Sequence, residues 1–162
     1  MADDMFLELD SIDGESKDSQ FQGKIDIYGF GFGLSNMGSG GYGGGSGVGK
    51  ANINDISVHK KVDKASADLI KTCYNGKHIA TGKIHIRKSG GDSPLEYLTY
   101  ELTEVFVTSV NQSDSAGADV AQESITLNFS KIKMTYKMQS AEGGDEATPE
   151  VEIDVKQNKV LT

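Results

Sequence analysis

The chain has 162 residues, which is the size of one domain, and its 24 acidic against 16 basic side chains give a formal net charge of −8. Binding to phosphates requires a surplus of Lys and Arg, so this charge disfavours nucleic acid and anionic membrane surfaces as partners. A single cysteine, Cys73, excludes an intramolecular disulfide and a cysteine-rich zinc site. We expect one domain over residues 1–162 with one core.

The N-terminus reads MADDMFLELD and has neither the positive segment nor the apolar segment of a secretory signal. No apolar run approaches the roughly 20 residues that a membrane-spanning helix needs. We therefore expect synthesis in the cytoplasm without a signal peptide and without membrane insertion. Export would then require a route that reads no signal.

The first strands follow from alternation. Met5, Leu7 and Leu9 alternate with Glu8 and Asp10 and predict a strand that ends in the polar run 11–20. From Ile25 onward, bulky residues are predicted on one face and glycines on the other, a pattern that permits close backbone approach, a bulge or strong bending. The bulky residues are Tyr28, Phe30, Phe32 and Leu34, and the glycines are Gly29, Gly31 and Gly33.

A glycine-rich loop occupies residues 38–50, and eight of the twelve residues from 38 to 49 are glycine. Ordering each backbone residue costs about 1–2 kcal/mol, and more for glycine, so we expect this loop to be flexible unless a partner orders it. Its end, GGSGVGK, resembles a phosphate-binding loop, but Ala51 replaces the magnesium-binding Ser or Thr and a strand follows in place of a helix. GSGGYG at 38–43 also lacks the helix of a dinucleotide site.

One short helix is predicted after a strand at 51–61. Ser66 is the expected N-cap, Asp68 suits the first turn, and Gly76 is expected to end the helix. Such a short helix needs tertiary packing to persist. Its lone Cys73 is interpreted as a small core residue.

Two long strands follow, joined by a turn at 89–94. In the first, Lys83, His85 and Arg87 alternate with apolar residues, so we expect them on a solvent-exposed face. In the second, Leu98, Tyr100 and Leu102 alternate with polar residues, and an apolar run begins at Val105. The turn predicts that the two strands pair antiparallel.

The C-terminal third predicts strands near 125–129, 132–138 and 151–155. The apolar phase shifts between the first two, which indicates a bulge near Ser130–Lys131 or a strand that changes packing layer. Lys131, Lys133 and Lys137 form a basic strand face, interpreted either as a wet sheet face or as a partner-contact surface. About seven or eight strands and one helix favour a mainly β, antiparallel barrel or sandwich.

Nothing in the pattern points to catalysis, and we predict no enzymatic activity, no cofactor and no metal. His59, His78 and His85 lack a metal-ligand spacing, and neither HExxH nor GxSxG occurs. Two readings other than a structural protein stay open. One is a monomeric barrel that binds a small ligand or acts as an effector, and the other is a nucleotide-dependent enzyme that would use Lys50.

The sequence resembles the haemolysin co-regulated protein (Hcp) family, the tube component of bacterial type VI secretion. The shared stretches run almost from end to end, and together they are specific. They are DMF near the start, DGESKD from Asp13, IDIYGFGFG from Ile25, the glycine-rich loop ending in GK, NGKH, IRKSGG from Ile86, EYL, EVFVTSV from Glu104 and TLNF from Thr126.

The resemblance implies a small antiparallel β-barrel with one short α-helix that forms a hexameric ring. It implies stacked rings with a lumen for effector cargo, contacts with sheath and spike components, and secretion to the medium or a target cell. The expected lumen or close-approach face comprises Gly29, Gly31 and Gly33. The ring-stacking loop comprises Gly38, Tyr42, Val48 and Lys50, and the candidate subunit contacts are Lys83, His85, Arg87, Lys131 and Lys133.

Overall fold

A computed structural model describes residues 3–37, 50–89, 94–138 and 148–162. Within these ranges the chain forms twelve strands and one helix. The strands are β1 (Asp3–Leu9), β2 (Ile25–Ile27), β3 (Gly29–Gly31), β4 (Leu34–Ser35), β5 (Asn52–Ile53), β6 (Ile56–Lys61), β7 (His78–Lys88), β8 (Glu96–Ser113), β9 (Gln122–Asn128), β10 (Lys131–Tyr136), β11 (Glu150–Asp154) and β12 (Lys159–Val160), and helix α1 (Ser66–Asn75) lies between β6 and β7.

The prediction of a mainly β, antiparallel fold with one short helix is confirmed, because every strand pair in these ranges is antiparallel. In the described ranges twelve strands replace the expected seven or eight, since breaks divide the longer ones. The strands that the structure describes do not close the barrel as an unbroken ladder. Among them, β2 pairs only with β1 and β3 only with β6, while β11 and β12 extend the sheet beyond β10.

Strand β8 is the central strand of the sheet, because its eighteen residues pair with strands of both layers. One of its edges pairs with β7. Along its other edge, residues 98–103 pair with β10 and residues 106–113 pair with β9. The long strand thereby joins a layer made of β1, β7, β10 and β11 to a layer made of β3, β6 and β9.

The phase change predicted at Ser130–Lys131 is confirmed. β9 ends at Asn128, β10 begins at Lys131, and between them the Ser130 N–H donates to the Thr103 carbonyl over 2.9 Å. On one side of this break the chain borders β6, and on the other it borders β11. The strand therefore changes layer here, and the apolar positions change parity with it.

A similar change of phase occurs at Tyr28, where the chain bends between β2 and β3. Ile25 and Ile27 are buried before the bend, and Phe30 and Phe32 pack against the core after it. Tyr28 itself is 55% exposed. The expectation that Tyr28 shares a face with Phe30 and Phe32 is therefore wrong, because the bend separates them.

Helix α1 ends as the sequence predicts but begins differently. Gly76 adopts φ 63°, the left-handed conformation that glycine tolerates, and its N–H donates to the Cys73 carbonyl. Ala65 takes the N-cap position, so the prediction of Ser66 is wrong. The Asp63 carboxylate accepts the Ala65 N–H at 2.9 Å and supplies the missing acceptor. Cys73 is half-buried against the core.

The core lies between the two layers. Strand alternation sends one set of side chains from each layer inward, and Leu69 and Ala65 bring the helix onto the same cluster. Fully or almost fully buried members include Leu7, Ile25, Ile56, Val58, Ile84, Ile86, Leu102, Val105, Ile125 and Leu127. The alternate side chains of every strand consequently form two outward faces, one for each layer.

Candidate functional site

One outward face, which we call the charged face, is formed by β1, β7, the first half of β8, β10 and β11. Strand register places five ionisable side chains directly opposite one another in a single row. The row reads Glu8, Lys83, Glu101, Lys133 and Glu152. Charges of alternating sign thus cross five adjacent strands, an arrangement in which each interior member has opposite charges as neighbours.

The charged row is held by ion pairs near the surface. Lys83 Nζ lies 3.0 Å from Glu101 Oε1, and Lys24 Nζ lies 3.2 Å from Glu8 Oε1. The hydrogen bond from Lys83 to Glu101 raises the pKa of Lys83 although burial opposes this shift. Exposed pairs of this kind contribute only about 0–1 kcal/mol each to stability, so their main effect is to fix the pattern of charge on the face.

Two of the predicted contact residues on β7 are not exposed. His85 is 8% exposed and Arg87 is 6% exposed, so the expectation of a wet face is wrong at both positions. The cause is the segment of residues 13–24, which we call the flap. It folds over this end of the charged face and lays the Phe21 ring 4.7 Å from the His85 ring. Lys83, beyond the flap, keeps 44% of its side chain exposed.

His85 lies between two carboxylates. Its Nδ1 is 2.6 Å from Glu96 Oε1 and its Nε2 is 3.1 Å from Glu8 Oε2. Burial alone would lower the pKa of His85, but the hydrogen bonds and charges of Glu96 and Glu8 outweigh it and raise the pKa above 6.5. The same contacts lower the pKa of both glutamates against the opposing effect of burial.

Arg87 fastens the flap to β1. Its guanidinium forms a two-pronged ion pair with Asp18 of the flap, with Nη1 2.9 Å from Asp18 Oδ1, and it also contacts Asp4 Oδ2 at 3.2 Å. The guanidinium carbon lies 5.1 Å from the centre of the Phe6 ring, within cation–π range. The hydrogen bond to Arg87 lowers the pKa of Asp18.

The second outward face, which we call the neutral face, is formed by β3, β6, β9 and the second half of β8. Its rows contain small or uncharged polar side chains. One row reads Gly29, His59, Ser124 and Asn111, and the next reads Gly31, Ser57, Thr126 and Ser109. The buried side chains that alternate with them on β6, such as Val58, belong to the core.

The three predicted glycines lie at the margin of this face. A Cβ atom at Gly31 would lie 2.8 Å from Ser57 Oγ, whereas one at Gly29 would keep an ordinary 3.5 Å from the His59 ring. The carbonyl of Gly33 accepts the Asn54 N–H at 3.0 Å. Glycine at these positions keeps the margin flat, and at Gly31 it also avoids a crowded contact.

Several polar groups where β8 and β9 meet on the neutral face bond to one another or to Asp55. Thr108 and Ser109 both lie within 2.6 Å of Thr126 Oγ1, and Thr108 also donates to Asp55 at 2.7 Å. Asn128 donates to the same Asp55 carboxylate at 2.9 Å. Hydroxyl and amide groups that already have partners present a surface with little remaining demand for hydrogen bonds.

Of the predicted ring-stacking residues, Gly38, Tyr42 and Val48 lie outside the described residues. Lys50 is exposed and borders a cleft of about 150 Å³ between the β4–β5 hairpin and the β11–β12 hairpin. Leu34, Ile53, Val155 and Val160 supply much of its apolar lining. The basic strand is also only partly open, since Lys131 and Lys133 are half-buried.

The described residues contain neither a metal-binding cluster nor a membrane-spanning helix. Among the described side chains, no group of three or more His, Cys, Asp and Glu is placed to hold a metal ion. A membrane-crossing helix is likewise absent from the parts of the chain that the structure describes, because none is long and apolar enough.

Comparison with known proteins decides the family. Residues 6–136 match the model of the family described as "Type VI secretion system effector, Hcp". The chain belongs to the Hcp family. It is 47% identical over 149 residues to protein hcp1 of Pseudomonas aeruginosa, and the match covers 92% of each chain. This chain is therefore a type VI secretion protein, as the sequence resemblance predicted.

Solved structures agree with this assignment. A type six secretion system protein superimposes with a TM-score of 0.89 at 28% identity, covering 98% of this chain and 99% of the other. Hcp1 from Salmonella typhimurium gives 0.78 at 32% identity and covers 99% and 100%. A type VI secretion system effector from Yersinia pestis gives 0.77 at 30% identity and covers 94% and 100%. The Hcp fold thus extends over nearly all of the chain.

Sequence reasoning missed two features of the fold. It assigned residues 11–20 to a polar turn, although Phe21 directly after them is an aromatic side chain, and it packs against Phe6 and His85. It also missed an ion cluster in which Lys60 is fully buried beside Glu123. Lys60 does interrupt the alternation of β6 as a charge at an inward position, and that was the available signal.

Proposed function

We propose that this Hcp chain is the ring-forming structural subunit of a type VI secretion inner tube, exported with that tube, and that effector cargo occupies the lumen of its rings. The observation that carries the proposal is the contrast between the two outward faces. One presents an ordered row of alternating charges, and the other presents two adjacent rows of small or uncharged polar side chains. A subunit that touches neighbours on one surface and leaves another open to passing cargo requires such a division.

The neutral face suits the lumen. Gly29 and Gly31 keep its margin flat, and its hydroxyl groups already bond to one another across β8 and β9. A wall of small polar groups, several of which already bond to one another, adheres weakly to a passing protein. Gly33 extends the same margin towards the β4–β5 hairpin, and we assign all three glycines to the channel wall.

The charged face suits contact between subunits. Lys83 and Lys133 occupy alternate places in one row, and Lys131 lies one row further along β10. Alternating charges give a neighbour a specific register and reject a shifted one, because like charges then meet. A heterologous contact repeated with a closing rotation produces a ring, and the resemblance gives a hexamer. His85 and Arg87 lie on the same side of β7 as Lys83 and hold the flap beside this surface.

The remaining contacts of the proposed tube are with other rings and other components. We assign the loop at 38–50, with Gly38, Tyr42, Val48 and Lys50, to contact between stacked rings. The partners along the tube are then a second ring, the sheath and spike components and the effector cargo. Secretion to the medium or to a target cell follows from export of the tube itself.

The test is the assembly state and its dependence on the charged row. We expect large oligomers by sedimentation velocity at micromolar concentration and rings in negative stain. Lys83→Glu places a third carboxylate between Glu8 and Glu101, so we expect a smaller ring fraction, whereas Lys83→Arg keeps the alternating charges and should assemble as the wild type does. Lys61→Glu makes the same charge change at the edge of the neutral face and is the matched control.

The outcomes separate the parts of the proposal. A wild-type chain that stays monomeric at all concentrations would overturn the ring-forming function. Rings that form equally well in Lys83→Glu would reject the charged face as the subunit contact. A loss of rings in Lys61→Glu equal to that in Lys83→Glu would show that net charge, and not the row, governs assembly.

A further inference from the structure

The flap is a compact segment held onto the charged face by side chains. Its own backbone bonds are short-range: the Gly14 N–H donates to the Gly23 carbonyl at 2.9 Å, and the Ser16 N–H donates to the Lys24 carbonyl at 3.0 Å. These bonds close the flap on itself and do not join it to a sheet. What holds it down must therefore come from side chains of β1, β7 and β8.

Side-chain contacts at Phe21, Arg87 and Lys24 fasten the flap, and all of them lie around His85. The Phe21 ring stacks 4.5 Å from the Phe6 ring and lies 4.7 Å from the His85 ring. Asp18 pairs with Arg87, two residues along the strand from His85. Lys24 pairs with Glu8, the same carboxylate that approaches His85 Nε2.

The position of His85 between two carboxylates favours the protonated, charged imidazole. Each of its ring nitrogens faces a carboxylate, and an ionised carboxylate only accepts hydrogen bonds. Charged imidazole donates from both nitrogens and satisfies Glu96 and Glu8 together. Neutral imidazole has one N–H, so one nitrogen lone pair then faces a carboxylate across a short distance, and that contact becomes repulsive.

We propose that the protonation state of His85 controls the flap, an arrangement that we call the clasp. Charged His85 holds the flap closed over Phe6, and loss of the proton releases the flap. The geometry of one subunit carries this inference. Its consequence for assembly rests on the proposed function, because Lys24 of the flap pairs with Glu8, which lies opposite Lys83 in the row that we assign to subunit contact. Release of the flap would then weaken the rings.

The charged groups around His85 set the direction of the effect. Strands β1 and β8 contribute three carboxylates, β7 and the flap contribute three cations and one carboxylate, and Lys137 acts on Glu96 through its charge. These groups are Asp4, Glu8, Glu96, Asp18, Lys24, Lys83 and Arg87. Because the folded pKa of His85 is raised, the closed flap is favoured below the ordinary imidazole pKa of 6.5 and loses that support as the pH rises through the folded value.

Amide hydrogen exchange of the flap tests the clasp directly. Protection of the Gly14, Ser16 and Gly23 amides is measured from about pH 6 to about pH 9 and corrected for the intrinsic exchange rate, since this range brackets a raised imidazole pKa. We expect protection to fall by about tenfold for each unit by which the pKa of His85 is higher with the flap closed than with the flap open. Sedimentation across the same pH range reports whether rings weaken in parallel.

Three variants give the inference its controls. His85→Gln does not titrate, so its flap protection should be independent of pH over this range. Glu96→Gln removes the nearer carboxylate, so the loss of protection should move to lower pH. His59→Gln removes an exposed histidine on the neutral face and should behave as the wild type.

Flap protection that does not change with pH in the wild type would overturn the clasp, and so would an equal pH dependence in His85→Gln. If His85→Gln does not fold, titration of the wild-type imidazole by NMR decides the matter, and a pKa at or below 6.5 overturns the clasp. Rings unaffected by flap release would remove the link to assembly. A chain without rings at any pH would count against the proposed function and leave the exchange result standing.

Discussion

The buried lysine of β6 gives the sharpest prediction about stability. Lys60 is fully buried, and its Nζ lies 2.8 Å from Asp63 Oδ1, 3.1 Å from Glu123 Oε1, 3.0 Å from the Lys61 carbonyl and 3.3 Å from Ser66 Oγ. It joins the start of α1 to β6 and β9. Removal of the ammonium leaves the fully buried Glu123 carboxylate without its counter-charge.

We expect Lys60→Met to lower the free energy of unfolding by about 3–5 kcal/mol, the usual cost of breaking a buried ion pair from one side. For a domain of this size the melting temperature would fall by roughly 6–20 °C. The double variant Lys60→Met/Glu123→Leu should recover part of the loss, because it removes the Glu123 charge, while Asp63 loses the ammonium but keeps the Ala65 N–H as a donor. Urea unfolding, with all variants at one low protein concentration, measures these differences.

The matched control is Lys83→Met, which breaks the pair with Glu101 while both side chains are more than 40% exposed. We expect a cost of about 0–1 kcal/mol there. The reasoning would be refuted if Lys60→Met cost no more than Lys83→Met. It would also fail if the double variant were no more stable than Lys60→Met alone, since the unpaired Glu123 would then not be the cause.

Two further changes should be visible in the same unfolding assay. Gly14→Ala should destabilise the chain by about 1–3 kcal/mol, because the new Cβ would lie 2.4 Å from the Lys24 carbonyl oxygen, whereas Gly29→Ala should be nearly neutral at 3.5 Å from its nearest neighbour; equal costs would contradict this. Below pH 4.5 the chain should lose stability as Glu96 and Glu123, whose pKa values are lowered, take up protons on the way to unfolding. In Glu123→Gln the free energy of unfolding should fall less steeply below pH 4.5. An unchanged fall would show that Glu123 does not cause the loss of stability in acid.

Local alternation made the strands readable. Leu7 and Leu9, Ile84 and Ile86, and Ile125 and Leu127 alternate with polar residues, and each pair is buried as its period predicts. The end of α1 at Gly76 was equally local, because only glycine adopts that backbone conformation without strain. The family was also recognisable from the sequence, since its motifs extend from β1 to the end of β9.

Contacts between distant parts of the chain could not be predicted from the amino-acid sequence. His85 and Arg87 alternate like exposed residues, and only the flap, more than 60 positions away along the chain, turns their side of β7 into a buried surface. The alternation records which side of a strand a residue occupies, but it does not record whether another segment covers that side. For the same reason the prediction of a solvent-exposed side chain was correct at Lys83 and wrong at His85 and Arg87.

The amino-acid sequence by itself determined the strands, the short helix, the family and the absence of recognisable catalytic motifs, because these depend on neighbours within a few residues. The tertiary structure alone decided which strands pair, and it thereby assembled Glu8, Lys83, Glu101, Lys133 and Glu152 into one charged row. It also brought Glu123 to Lys60 across 63 positions. Pairing and burial depend on the free energy of the whole core, which no local pattern contains.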